Sequence, residues 1–480
     1  MKKCSPSIII LFLHFLFINV APEAVTCQVK PISLHPGNPH YFVYKDKPTI
    51  LVSSGEHYGA VLNLDFDYIA YLDELQSKGL NLTRTFSGEY VEPSGAFNIA
   101  RNTLAPVYTR FICPWPRSAT PGNLNGGNKF DLTQWDAGYF KRLKDFVSAA
   151  QKRDIIIELA LFCPFYEDPQ WNLSPLNANN NINGVGTVVR TDVYTLDKNG
   201  GLLAVQETLV RKILNELKDF SNLVYEICNE PYFGGVTIEW QHHIADIISE
   251  TEGDFRFRHL ISQNIANGAG IINNPHPAVS IFNFHYAAPP YAVAQNYQLN
   301  KVIGDNETGF AGNKDSTYRK EGWEFILAGG GLYNNLDYSF TVGHEKGTFV
   351  FPSTQPGGGS VELRKQLGYL KKFIYQFDFI HMKPDSTLLV NSQTEKFRVY
   401  ALTEPGKQYA IYFSRRIDAR VELRLAAGTY EVEWMNPRTG KSEKRTVLKH
   451  PGGNAILNFP EEKEDMALSV VKAGYKKTQK

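Results

Sequence analysis

The sequence predicts an α/β fold: a (β/α)8 TIM barrel followed by a small C-terminal antiparallel β-sandwich. Three observations carry this expectation. Short, continuous apolar runs alternate with longer amphipathic stretches between residues 49 and 377. Continuous apolar runs fit parallel strands covered on both faces, and their alternation with helices fits a barrel. After Pro384 the texture changes to short alternating runs separated by turn signals, the pattern of a small sandwich.

The strand signals follow in order. Thr49–Ser54 is the first, ending at Gly55-Glu56-His57-Tyr58. Asp67–Lys78 reads as a helix with Ile69, Leu72 and Leu75 on one face, stopped by Gly79. Leu80–Phe86 is the second strand. A loop over 87–130, rich in Gly, Pro and Asn, follows it. Loops this long inside a compact domain usually carry function. Trp135–Lys152 is an amphipathic helix and Asp154–Phe162 the third strand. A second long polar loop spans 164–200, with an Asn-rich patch at Asn177–Asn183. The helix Leu203–Phe220 leads into the fourth strand at 222–229, and the helix Glu239–Glu250 follows. His259–Asn264 is the fifth strand. Ala278–Phe284 is the sixth, ending at His285-Tyr286. Lys301–Gly304 opens the seventh, and the helix Tyr318–Ala328 precedes the eighth at Gly329–Tyr333. Glu362–Phe377 adds a terminal helix.

Residues 385–475 then alternate in five short runs: 397–402, 408–413, 421–425, 429–434 and 444–448. No internal repeat of fixed period occurs. The expected organisation is a leader at 1–27, a catalytic barrel at 28–384 and a β-sandwich domain at 385–480. A sandwich in this position is expected to pack on the barrel and stabilise it. Polysaccharide binding is its alternative role.

Lys2 and Lys3 precede an apolar stretch from Ile8 to Val20 that is too short to span a bilayer. This predicts a secretory signal, and so a secreted, periplasmic or cell-surface protein. Ala24-Val-Thr-Cys27 resembles a bacterial lipobox imperfectly, which makes Cys27 a candidate lipid anchor. No other segment is long and apolar enough to span a membrane.

Hydrophobic residues at 43% and charged ones at 21% are those of a soluble globular chain. A net charge of +1 supplies no field for nucleic acid or an anionic membrane surface. The 5 cysteines show no CxxC spacing, so no metal and no cofactor is expected. Cys163 and Cys228 each end an apolar run and are expected as free buried thiols. Aromatics make up 13%, enough both to fill a core and to offer faces to sugar rings. Trp115, Trp135, Tyr166 and Trp171 lie in or beside the long loops and are candidate platforms.

The chemistry centres on Asn229-Glu230-Pro231. An apolar run ends there and Pro231 turns the chain out, so a carboxylate with an amide beside it sits at a strand end. In a (β/α)8 barrel that rim carries the chemistry. Glu307 follows the seventh apolar run in the same way. Cleaving a glycosidic bond requires an acid for the leaving oxygen and a carboxylate for the developing cation. Asp305 competes with Glu307, because simple alternation puts both on one face. Thr308-Gly309 after Glu307 fits the loop departure and favours Glu307.

Asn229-Glu230-Pro231 at the end of strand four resembles the signature of clan A of the glycoside hydrolases, and cellulase-like glycoside hydrolase family 5 is the nearest comparison. The resemblance covers residues 40–380 as an eight-strand layout. It implies a retaining double displacement on a polysaccharide or oligosaccharide, with Glu230 as acid/base and Glu307 as nucleophile. It further implies that Arg84 keeps Glu307 ionised and that Asn229 contacts a sugar 2-hydroxyl. Glu230 is then protonated in the free enzyme. The family usually places His-x-Tyr at the end of strand six, whereas here His285 and Tyr286 are adjacent. Alternation would turn only one of them inward.

Other departures suggest an outlying branch. Phe162-Cys163-Pro164 stands where a His is frequent after strand three. Tyr333 stands in for the strand-eight Trp that would serve as a sugar platform. Glu56 and His57, in a motif not typical of cellulases, are candidates for the substrate pocket. Two readings of another class remain. One is a catalytically inactive carbohydrate-binding barrel. The other is a metal-dependent amidohydrolase, which would need several His at strand ends, and HxH is absent. Sugar, linkage, endo or exo action and oligomeric state are not legible.

Overall fold

The structure, a computed structural model, describes residues 1, 30–390, 398–415, 420–460 and 464–475. Apart from Met1, the predicted leader at 1–27 lies outside the described residues, and Cys27 with it. No helix among the described residues is long and apolar enough to cross a membrane.

Eight parallel strands form the central sheet: β1 (Leu51–Gly55), β2 (Leu82–Phe86), β3 (Ile156–Phe162), β4 (Leu223–Cys228), β5 (Leu260–Asn267), β6 (Val279–His285), β7 (Val302–Thr308) and β8 (Leu332–Leu336). Each pairs with its sequence neighbour except at the seam between β1 and β2. Asn81 bridges that seam. Its backbone N–H donates to Val52 O at 3.3 Å. Its carboxamide accepts from Val52 N at 3.0 Å and donates to Ile50 O at 3.0 Å. The outer layer is α1 (Tyr68–Ser77), α2 (Ala137–Gln151), α3 (Leu202–Leu217), α4 (Ile238–Thr251), α5 (Tyr291–Asn296), α6 (Asp315–Leu327) and α7 (Val361–Ile374). Each begins where a cap or turn allows; Asp67, for example, accepts from Ile69 N and Ala70 N.

Alternation along the strands layers the barrel interior. Leu51, Leu82, Ile156, Val224, Ile281, Val302 and Leu332 form an apolar floor, sealed from below by Ile32, Phe42 and Tyr44 of the N-terminal strands. Two residues higher the interior is polar: Arg84, Glu158, Glu226, Ser262, Asn283 and Asn334 are all buried there. The site stands on this polar layer.

Strand eight begins three residues later than the glycine run suggests. Gly331 lies against the His40 backbone, where an added Cβ would stand 2.6 Å from the carbonyl oxygen. Gly329 adopts φ +103. These glycines turn the chain from α6 into the sheet, and only then does pairing start.

The C-terminal strands form a six-stranded antiparallel sheet and a two-stranded sheet of Arg420–Leu425 with Gly453–Asn458. They enclose their own core around Ile411, Phe413 and Trp434. The other face of the larger sheet packs on α6. Trp323 stacks on Tyr412 at 5.2 Å, and Arg319 donates to both carboxylate oxygens of Asp465 at 3.1 and 2.9 Å.

Candidate active site

A cavity of about 750 Å³ opens at the C-terminal rim of the barrel. Both long loops wall it: Tyr90, Glu92, Phe97 and Leu104 come from the first, Tyr166 and Arg190 from the second. The Asn-rich patch is structural. Asn180 and Asn181 are buried and use their carboxamides to hold the loop backbone, at 2.8 Å to Ser174 O and 3.0 Å to Asn177 O. Such bonds let an irregular segment stay ordered.

Glu230 and Glu307 both line the cavity. With His285 they form a group whose nearest nitrogen and oxygen atoms all lie within 4.8 Å of one another. Glu307 accepts from Tyr58 Oη at 2.8 Å and Arg84 Nη1 at 3.1 Å on one oxygen, and from Tyr286 Oη at 2.9 Å on the other. Glu230 accepts from Tyr166 Oη at 2.6 Å, Tyr232 Oη at 3.2 Å and His285 Nδ1 at 3.2 Å. The same Nδ1 stands 3.6 Å from Glu307 Oε2. The trio is the one cluster among the described residues with metal-ligand spacing. Yet its carboxylate oxygens already accept from tyrosine hydroxyls and a guanidinium, which a cation would have to displace. The donor set therefore fits organic acid–base chemistry better than metal chemistry.

Backbone geometry makes this convergence. A bulge in β7 pairs His285 with Glu307 directly after Phe284 with Asp305, so Asn306 is an extra residue. The bulge breaks the alternation on which the rivalry of Asp305 and Glu307 depended. Asn306 turns inward, donating to Glu158 at 3.1 Å and to Glu226 at 2.7 Å. Glu307 reaches the cavity, and Asp305 is buried towards α6. Burial and Glu321 push the Asp305 carboxyl well above the usual carboxylate range. His285 and Tyr286 both reach the acids, against the alternation argument, because Tyr286 adopts φ +52. Tyr58 and Glu230 are also left-handed, at φ +66 and +36. Such backbone costs about 1–3 kcal/mol per residue and clusters at functional sites.

Arg84 lies beneath the cavity and does not line it. Its guanidinium donates to Glu307, Glu226, Tyr58 and, at 2.9 Å, Asn229 Oδ1. Burial opposes its charge, but Glu226, Tyr58, Glu158 and Glu307 outweigh this and hold it charged. Burial pushes Glu226 up to about 7 despite Arg84. Asn229 lines the cavity and donates to Tyr166 Oη at 2.9 Å. His285 is fully buried below the two acids. Arg84 and His285 thus hold the acids in place from beneath the cavity, while Asn229 and Tyr286 line it.

Two expected pocket residues turn elsewhere. Glu56 accepts from Gly59 N and Ala60 N at 3.1 Å each and from Thr103 Oγ1 at 2.8 Å, tying the loop after β1 to the first long loop. Tyr333 is buried against α6, where its hydroxyl donates to Tyr318 O at 2.8 Å. Its odd register on β8, shifted with the later start of that strand, turns it outward. His57 does line the cavity.

Among the proposed platforms, Trp115 and Trp171 are buried in the core, and Trp135 packs against Trp115. Tyr166 alone of the four lines the cavity, and its hydroxyl serves Glu230. The exposed rim aromatics are Phe97, Phe233 and Phe310. Tyr58, from the same motif as Glu56 and His57, lines the cavity as well. Sequence reasoning missed Tyr232 and Glu92; Tyr232 had a signal, since it lies two residues after Glu230.

Burial works against charge on Glu230, but the hydrogen bond and charge of His285 and the two tyrosine hydroxyls overcome it and leave the carboxyl below its ordinary value. His285 moves the other way: burial lowers it, but Glu307 and Glu230 raise it above its ordinary value. The two shifts run in opposite directions, and the one on Glu230 is opposite to the raised carboxyl that a protonated acid in the free enzyme calls for.

A sequence model described as Cellulase (glycosyl hydrolase family 5) matches residues 71–339. No curated protein matches the sequence. Among solved structures, one described as a glycoside hydrolase is 14% identical with a TM-score of 0.63, over 94% of this chain and 98% of its own. A glycoside hydrolase family 5 structure from Bacteroides vulgatus is 12% identical with a TM-score of 0.64, over 94% of this chain and 95% of its own. At these identities the likeness is one of fold.

Proposed function

Because the chain belongs to glycosyl hydrolase family 5, we propose that it hydrolyses O-glycosidic bonds in an oligosaccharide or polysaccharide with retention of configuration. Glu307 attacks the anomeric carbon while Glu230 passes a proton to the departing glycosidic oxygen. The C1–O bond breaks and a glycosyl ester on Glu307 forms. Water then attacks C1, gives its proton to Glu230, and the ester bond breaks to release the sugar and restore Glu307. His285 holds the site proton against Glu230 and supplies it as the leaving oxygen gains charge.

The close approach of the two carboxylates, within 4.8 Å at their nearest oxygens, carries the proposal. Retaining enzymes hold the two carboxyl groups about 5–5.5 Å apart and inverting ones about 6.5–9.5 Å, and so close a nearest approach of oxygens suits the shorter separation better. Arg84 and two tyrosines around Glu307, against a histidine beside Glu230, support the assignment of roles. Secretion belongs to the same proposal and rests on the charged start and apolar stretch of residues 1–27; the N-terminal sequence of exported protein tests it.

The roles are tested with activated aryl glycosides. Glu230→Ala is expected to keep slow turnover that azide accelerates with formation of a glycosyl azide of the substrate's own anomeric configuration, while Glu307→Ala loses turnover. Equal loss in both variants without azide rescue rejects the assignment.

A further inference from the structure

One end of the cavity holds a polar pair that the chemistry of Glu230 and Glu307 does not use. His57 leaves the end of β1 and is 8% exposed, and neither of its ring nitrogens has a hydrogen-bond partner. Its ring stacks on Tyr58, whose hydroxyl donates to Glu307. Facing it is Glu92 from the first long loop. Tyr90 Oη donates to one Glu92 oxygen at 3.0 Å and the Asn102 carboxamide to the other. His57 Nε2 and Glu92 Oε2 stand 4.0 Å apart, too far for a direct bond.

A gap of that size suits one hydroxyl. An oxygen about 2.8 Å from each atom bridges it, accepting from the Nε2–H of a neutral imidazole and donating to the carboxylate. Burial keeps the imidazole neutral, pushing it down to about 4. The buried Nε2 of His57 then gains the partner that the protein itself does not provide.

We propose that His57 and Glu92 together bind one ring hydroxyl of the sugar whose anomeric carbon Glu307 attacks. This deepens, and rests on, the glycosidase proposal above. A site built to pair with a hydroxyl discriminates steeply against ligands that lack it, because its buried groups are then left unpaired.

Binding is measured by calorimetry on the Glu230→Gln variant, which retains ligands without turning them over. The probes are cello-, manno-, xylo- and galacto-oligosaccharides. At least one neutral series is expected to bind. Adding His57→Ala or Glu92→Gln should weaken the neutral ligand about tenfold or more. A monodeoxy series of that ligand should contain one position whose loss weakens the parent and is without effect beside His57→Ala. His57→Asn, which keeps volume and polarity, serves if the alanine variant fails to fold. Binding indifferent to both residues, or no binding by any probe, overturns the inference. Release of reducing ends by the unmodified enzyme is followed on the same panel. Hydrolysis with His57-independent binding sinks this subsite alone. His57-dependent binding without hydrolysis sinks the glycosidase and leaves the subsite.

Discussion

His285 Nδ1 lies 3.2 Å from Glu230 Oε1, and this bond lets two buried groups share one proton directly beneath the cavity. The carboxyl is held below its ordinary value and the imidazole above its own. For folding, the depressed carboxyl stabilises above its ordinary value of 4.5, and that contribution is lost as pH falls through the depressed value. The raised imidazole stabilises below its ordinary value of 6.5, and that contribution is lost as pH rises through the raised value. The pair therefore contributes most between 4.5 and 6.5.

The same pair sets the basic limb of activity. On the proposed mechanism the active form carries one proton on Glu230 and His285 together, and activity is expected to fall as pH rises past the raised value. In His285→Asn the carboxyl must hold that proton alone. The basic limb of kcat/KM should move to lower pH, and activity near neutrality should fall by about 100-fold, the lower end of the range for acid–base assistance. The loss should be smaller on aryl glycosides with good leaving groups, which need little proton donation. A pH–rate profile on the two substrate types checks both points.

Arg84 serves Glu226, Glu158 and Glu307 at once. Arg84→Met leaves those acids without their cation. Breaking a buried pair from one side costs about 3–5 kcal/mol. Urea unfolding should register that loss, and kcat should fall by about 100-fold or more. Arg84→Lys restores the charge but not the planar fork that reaches several acids, so it should recover stability only in part.

Asp305 is a different kind of acid. Its folded value lies well above the ordinary 3.8, chiefly through burial. Above that ordinary value the unfolded chain releases the proton and the folded chain keeps it, so the residue destabilises the fold as pH rises. Asp305→Asn should raise Tm at neutral pH, have less effect near pH 3, and leave kcat/KM within about threefold. Scanning calorimetry at the two pH values, with an aryl-glycoside assay, tests this and separates Asp305 from Glu307.

Arg319 on α6 is buried against Asp465 of the C-terminal sheet. Arg319→Ala strands that carboxylate and should cost about 3–5 kcal/mol. Because α6 also backs β7, which carries Glu307, thermal unfolding should start at a lower temperature while KM at 25 °C stays close to that of the unmodified enzyme.

The layout of the barrel was legible because apolar runs and amphipathic stretches report burial directly, and burial is what the barrel requires. The C-terminal strands were legible for the same reason, through alternation. Glu230 was legible because Pro231 must end a strand. The wrong turns share a different cause. Glu56 and Tyr333 carry suitable chemistry at suitable places in the sequence, but a carboxylate can serve a loop as readily as a substrate, and a register set by three glycines decides which way a tyrosine faces.

The sequence by itself determined the strand and helix order, the sandwich after the barrel and the two rim carboxylates, because these follow from local polarity and from residues that stop strands. Only the tertiary structure decided which groups meet. The bulge at Asn306, the left-handed backbone at Tyr58, Glu230 and Tyr286, and the placement of Glu92 opposite His57 come from packing between segments far apart in the chain. No single stretch encodes a convergence of that kind, since each side chain's direction depends on strands and loops whose pairing is settled by the closed barrel as a whole.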